Sequence, residues 1–164
     1  MLKYAINIVL KELGYIPFII GTRCKWCNIS FLNKTTNLVI IKNNYSEIKK
    51  DDYDILMVNS DQTWRKFDNN FLDYGFLKFS RYWNKTKFIY GASLGYDYWT
   101  LSNEDESIAK ELLKNFKGVS IREEGSINLV EKHFGIIPEV VLDPTLLAAF
   151  FHDFFKLNWL EQFN

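Results

Sequence analysis

From Leu2 to Leu13 the apolar residues fall at positions 2, 5, 6, 9, 10 and 13. That spacing keeps them on one helical face, and Gly14 stands where a left-handed cap would end the helix. Ile16 to Ile20 reads as a short strand, with Pro17 near its start, where a missing backbone donor is tolerated. Gly21 to Asn37 is polar and irregular, and Asn43 to Asp54 is charged and solvated. The runs Leu38-Val39-Ile40-Ile41 and Ile55-Leu56-Met57-Val58 are continuously apolar, the pattern of strands covered on both faces in a parallel sheet. Lys87 to Ala92 gives another strand. Ser102 followed by Asp105 is a capping box that opens a helix to about Lys114. Gly118 to Ile121 is the next strand, and Glu123 to Phe134 is a helix with acids in its first turn and Gly135 as its stop. Pro138 to Leu142 is the last strand, closed by Asp143-Pro144. Strands alternating with helices at this spacing predict an α/β class with a mostly parallel sheet.

Composition narrows the function classes. Twenty Lys and Arg against twenty Asp and Glu leave no net charge, and hydrophobic residues make up 48% of the 164 positions. A disordered chain, a nucleic-acid arm and an acidic tail are therefore not expected. No apolar run exceeds Leu146 to Phe151, well short of the ~20 residues of a membrane helix, so no transmembrane segment is expected. Asn7 breaks the apolar start, Lys11 and Glu12 end it, and no small-residue cleavage site follows, so the beginning reads as mature protein. Two cysteines, Cys24 and Cys27, form no secreted disulfide framework, and a reducing cytoplasm fits them best. They have the spacing of half a zinc site, but no second pair or nearby His completes it, so no metal is expected. Aromatic residues reach 17%, with Phe150, Phe151, Phe154, Phe155, Trp159 and Phe163 crowding the end.

In parallel sheets, ligands collect outside the carboxyl ends of the strands. Those ends deliver Asn59-Ser60-Asp61-Gln62-Thr63-Trp64, Ser93-Leu94-Gly95, Arg122-Glu123-Glu124 and Asp143-Pro144-Thr145. Arg122 is one of four arginines, follows a buried strand and opens the predicted helix. A guanidinium there grips a phosphate or carboxylate bidentately; the competing reading is an ion pair with Glu123, Glu124 or Asp143. Ser60, Asp61 and Gln62 either bind a polyhydroxyl ligand or cap the next helix. Trp64 is a sugar-stacking surface or, as is commoner, core. Ser93 and Gly95 either let a ligand approach the backbone or make a tight turn. His133, late in a helix, and His152 read as structural and solvent-facing.

Taken together, four segments resemble the polysaccharide pyruvyl transferase family. They are Asn59-Ser60-Asp61-Gln62-Thr63-Trp64, Tyr90-Gly91-Ala92-Ser93-Leu94-Gly95, Ser120-Ile121-Arg122-Glu123 and Leu142-Asp143-Pro144-Thr145. They stand in the family's order, with Asn59 replacing its Gly and Gly91 replacing its Ala. The resemblance runs to about Leu147 and implies a Rossmann-like domain, one half of a two-domain glycosyltransferase-like (GT-B-like) fold with its active site between the domains. It implies that residues 1–147 form an incomplete N-terminal Rossmann-like domain. Residues 148–164 are then an aromatic-rich tail, or the start of an interdomain connection, that a missing second domain would cover.

The activity so implied is transfer of a pyruvyl group from phosphoenolpyruvate to a sugar or glycan acceptor as a ketal, by a chain inactive alone. Arg122 matches the family's arginine and becomes a phosphoenolpyruvate clamp. Ser60, Asp61, Gln62, Ser93 and Gly95 become cleft or substrate-binding residues. No cofactor is implied, and neither histidine matches the family's second-domain His, so the catalytic acid is unassigned. Two other readings stand beside this one: a nucleotide-sugar-dependent glycosyltransferase-like domain, and a non-catalytic remnant or interaction module.

Overall fold

The computed structural model describes residues 2–22, 37–41, 44–59 and 62–148. The chain divides into two compact units, residues 1–44 with 142–164, and Tyr45–Val141. Both are built of parallel strands with helices, an α/β, Rossmann-like arrangement. No helix among the described residues is long and apolar enough to cross a membrane.

In the first unit, helix α1 (Leu2–Glu12) is followed by strands β1 (Phe18–Thr22) and β2 (Asn37–Ile41), paired in parallel from Phe18 opposite Asn37 to Thr22 opposite Ile41. The predicted helix stop is present: the Gly14 amide donates to Lys11 O at 2.9 Å and the Tyr15 amide to Leu10 O at 3.0 Å, closing the helix with a paired C-terminal cap. Ala5, Ile6 and Val9 are buried, while Leu13, beyond the last helical residue, is exposed. Strand β1 begins two residues later than Ile16. Pro17 has no N–H to give a ladder, and its carbonyl accepts from the Asn37 side chain at 3.2 Å, so regular pairing starts at Phe18. Asp143 caps a helical turn over 144–148: its Oδ1 accepts from the Thr145 amide at 2.8 Å and from the Thr145 hydroxyl at 2.6 Å, and its carbonyl accepts from the Leu146 and Leu147 amides. Pro144 follows it at the first helical position, where the missing donor costs nothing.

The second unit carries a four-stranded parallel sheet in the order β3 (Ile55–Val58), β4 (Thr86–Ala92), β5 (Gly118–Ile121), β6 (Glu139–Val140). Between the strands run α2 (Phe71–Phe76), α3 (Asn103–Leu113) and α4 (Ile127–Phe134). The solvated stretch before β3 holds two short 3-10 turns, Tyr45–Glu47 and Lys50–Asp52. Helix α3 opens on the expected capping box, with Ser102 Oγ accepting from the Asp105 amide at 3.2 Å and donating to Asp105 Oδ2 at 2.9 Å. It buries Ala109, Leu112 and Leu113, the apolar positions one turn apart.

Four elements differ from expectation. Helix α2, six residues long, had no sequence signal, because Phe71-Leu72-Asp73-Tyr74-Gly75-Phe76 is too short for a periodicity to register. The β3 run is not covered on both faces: Leu56 and Val58 are buried, whereas Ile55 is 42% exposed at the strand's start. The helix expected from Glu123 begins at Ile127, preceded by a 3-10 turn over Glu124–Ser126, so Arg122 does not open an α-helix and the acids lie outside its first turn. Strand β6 is also shorter than Pro138 to Leu142, although the Val141 amide still donates to Ile121 O at 3.0 Å.

The core of this unit is aromatic. Trp64, Phe71, Phe76 and Phe134 are almost fully buried. Trp64 lies parallel to Phe76 (5.5 Å, 2°), and Phe134 meets both edge-on at 5.4 and 5.6 Å. Such arrangements align ring edges with π faces and add to the area they bury. His133 is drawn into this packing rather than facing solvent. Its ring lies flat on Trp99 (3.9 Å, 6°), Nδ1 sits 3.0 Å from Glu106 Oε2, and 19% of the side chain is exposed.

Candidate functional site

Because β3, β4 and β5 are parallel neighbours, three of the four strand-end segments leave the sheet of the second unit at one edge. Asn59 and Gln62 follow β3, Ser93 to Gly95 follow β4, and Arg122 follows β5. The fourth segment, with Asp143, belongs to the first unit. Ser60 and Asp61 lie outside the described residues, as do Cys24, Cys27, His152 and the aromatic end from residue 149.

Edge geometry is set by a bulge in β4. Ile89 pairs with Val119 and Ala92 with Ile121, so β4 spends one residue more than β5 over the same step. Ser120 stitches this irregularity: its hydroxyl donates to Ile89 O at 3.1 Å and accepts from the Gly91 amide at 3.0 Å. A bulge leaves one residue outside the ladder, and the Ser120 hydroxyl takes up the donor so released. The ladder then resumes, with the Arg122 amide donating to Ala92 O at 3.1 Å. Ser120 and Gly91, which stand in different sequence motifs, are therefore one structural device that sets how Ser93 and Arg122 leave the sheet.

The loop after β4 is held equally firmly. Ser93 is buried, its hydroxyl accepts from the Gly95 amide at 3.1 Å, and its carbonyl accepts from the Trp64 amide at 3.1 Å. Gly95 has φ +73°, and a Cβ there would stand 3.1 Å from both Arg65 Cδ and Gln62 Cδ. Only glycine combines that backbone with that close approach. Two loops thus nest against each other, with Gln62 Oε1 accepting from Arg65 Nη1 at 2.9 Å. The Arg65 guanidinium lies over two rings, 4.7 Å from the centre of Phe67 and 4.4 Å from that of Tyr96.

Trp64 is core rather than a ligand surface. It is fully buried, and its Nε1 donates to Gly75 O at 3.2 Å. Gly75 is needed because a Cβ would come within 2.7 Å of Thr63 O, a backbone atom that cannot move aside. The Trp64 position in the first motif is therefore the anchor that fixes its loop to α2.

Arg122 occupies the half-buried end of β5, 20% exposed, with Nε 3.6 Å from Glu123 Oε1. A contact with Glu123, one of the ion pairs weighed from the sequence, is present. Glu123 is itself 44% exposed, whereas the Arg122 Nε atom that faces it is buried.

The family model for polysaccharide pyruvyl transferases matches residues 1–161. The chain belongs to the polysaccharide pyruvyl transferase family. Neither the curated proteins nor the solved structures hold a match to it. The family is one of transferases acting on a sugar or glycan acceptor, and its motifs here acquire physical meaning. In the Gly-Ser-Asp-Gln-x-Trp segment, Trp64 locks the loop and Gln62 orients Arg65. In the Tyr-Ala-x-Ser-x-Gly segment, Ser93 and Gly95 form the turn. In the Ser-x-Arg-Glu segment, Ser120 pins the bulge beside Arg122, and in the Leu-Asp-Pro-Thr segment, Asp143 caps a helix.

Residues missed from the sequence are Ser120, Arg65, Phe67, Tyr96 and Tyr98. Arg65 carried one weak signal, being among only four arginines and three residues past Gln62. The aromatic residues carried none, because 28 of them are scattered along the chain and nothing local marks those that share a surface.

Proposed function

We propose that this chain carries the donor-binding part of a polysaccharide pyruvyl transferase that uses phosphoenolpyruvate, with Arg122 as one clamp on the donor's anionic groups. The observation that carries the reading is the position of Arg122: the family's arginine at a strand end, half-buried, on the edge where two more family segments converge. Gln62, Ser93 and Gly95 shape that edge, and the family resemblance adds Ser60 and Asp61 as substrate-binding residues.

The reaction places one requirement on such a site. The C3 carbon of phosphoenolpyruvate takes a proton and becomes a methyl group, which leaves C2 with oxocarbenium character. Two hydroxyls of one sugar form bonds to C2, the C2–O bond to phosphate breaks, and inorganic phosphate departs. Of the two hydroxyl protons released, one balances the proton taken by C3 and the other leaves with phosphate. Donor and leaving group are both anionic throughout, so fixed cations have the larger part in stabilising the path. Arg122 suits that task because its planar fork matches a carboxylate or a phosphate. The acid that protonates C3 comes, in this reading, from a second domain, and the chain is inactive without it.

Thermal denaturation of the chain with and without phosphoenolpyruvate tests the proposal, since a ligand that binds only the folded state raises the melting temperature. The expected outcome is a rise that Arg122→Ala removes. Stabilisation by nucleoside diphosphates but not by phosphoenolpyruvate would instead support a nucleotide-sugar-dependent enzyme.

A further inference from the structure

We infer that Phe67, Arg65, Tyr96 and Tyr98 form a stacking platform for pyranose rings of the glycan acceptor. The inference rests on the transferase reading for the class of ligand and on independent geometry for the place. The four side chains form an unbroken strip. Arg65 lies 4.7 Å from the Phe67 ring and 4.4 Å from the Tyr96 ring, and Tyr96 stacks on Tyr98 with centroids 5.0 Å apart and 30° between planes.

Two members are exposed, Phe67 at 63% and Tyr98 at 58%. Aromatic rings left open at both ends of one connected strip, in a unit that buries Trp64, Phe71, Phe76 and Phe134, mark a surface suited to being covered. The strip lies in the loops after β3 and β4, the same edge that carries Arg122.

Its chemistry selects a sugar. The C–H faces of a pyranose are weakly electropositive and suit the negative faces of Phe and Tyr rings, while its hydroxyls point outward from the rim. Arg65 supplies donors along the strip, and its bond to Gln62 Oε1 at 2.9 Å holds it in one arrangement. Contact with both rings restrains the guanidinium before a ligand arrives. Gly95 admits Arg65 and Gln62 against the β4 loop, so the strip is tied to the same turn as Ser93.

The test uses the full chain, isotopically labelled, with the methyl glycosides of glucose, galactose and mannose as probes and the Phe67, Tyr96 and Tyr98 ring resonances as the readout. At least one glycoside is expected to give saturable shifts centred on these rings. Phe67→Ala and Tyr98→Ala should each weaken that response roughly two- to tenfold, the loss of one ring contact. Both positions are exposed, so an unchanged melting temperature shows that the variants remain folded. Arg122→Ala should leave the glycoside response within about twofold of the original while removing that to phosphoenolpyruvate.

Ring shifts with none of the three glycosides, or variants that titrate like the original, would overturn the platform. So would uridine or adenosine moving these rings where the glycosides do not, since the strip would then serve a nucleotide base. A chain that answers to glycosides at the strip but not to phosphoenolpyruvate would keep the platform and remove the donor reading; the reverse would remove the platform alone.

Discussion

Replacing Trp64 with Phe separates a structural role for this motif residue from a ligand-binding one. The indole N–H donates to Gly75 O at 3.2 Å inside the core, and phenylalanine leaves that carbonyl without its donor. An orphaned buried polar group costs about 1–3 kcal/mol. The smaller ring keeps the parallel contact with Phe76 but vacates about 40 Å³, which at about 24 cal/mol per Å³ adds roughly 1 kcal/mol. The expected loss is therefore about 2–4 kcal/mol, seen as a melting temperature lower by roughly 5–12 °C for a chain of this size. Urea unfolding followed by far-ultraviolet circular dichroism measures it, with an unchanged slope showing that only stability moved. Gly75→Ala should cost about 1–3 kcal/mol through its clash with Thr63 O, and the double variant less than the sum, because the first change already disturbs the Gly75 carbonyl. A loss below about 1 kcal/mol for Trp64→Phe, or an intact fold that no longer responds to phosphoenolpyruvate or glycosides, would refute the assignment of Trp64 to the core.

Two further predictions concern ionisation. A hydrogen bond from Lys66 at 2.5 Å, helped by Ser102, holds the Asp105 carboxyl below its ordinary 3.8. Its contribution is present above that value and lost as pH falls through the lower folded one. Asp105→Asn should therefore lower stability by about 0.5–1 kcal/mol at pH 6, with the gap closing below pH 3.8, as read from urea midpoints of both proteins. Lys87 is 2% exposed and donates to Ser80 O at 2.7 Å, with no carboxylate paired to it among the described residues, and burial lowers its pKa from 10.5. Between the lowered value and 10.5 the unfolded chain holds a proton that the folded one has released, so stability rises with pH there. Lys87→Met should lack that rise, and a constant difference between the two proteins from pH 7 to 10.5 would count against it.

Much of the order was legible along the chain because its signals are local. The α1 periodicity and Gly14, the Ser102–Asp105 box and the apolar runs of β2 and β3 each report a backbone preference that neighbours a few residues away decide. Where the expectation slipped, a nonlocal contact or a short element was responsible. Pro17 O is taken by Asn37, twenty positions on, so β1 starts late. Residues Glu124 to Ser126 tighten into a 3-10 turn that moves the start of α4 away from Arg122. His133 looked solvent-facing because its partners, Trp99 and Glu106, come from other segments.

The candidate site divides in the same way. Sequence alone placed Gln62, Ser93, Gly95 and Arg122 at strand ends, because parallel strands interrupted by helices must put their carboxyl ends on one side, and the motif spacing sufficed to name the family. It left open whether Trp64 faces a ligand or the core, and which charge meets Arg122. Packing buries Trp64 against Phe76 and sets Glu123 beside Arg122. Only the folded chain joins Ser120 to Gly91 across the β4 bulge, or gathers Phe67, Arg65, Tyr96 and Tyr98 into one strip. A backbone preference is written within a few residues, whereas a surface is an agreement between loops that the sheet brings together.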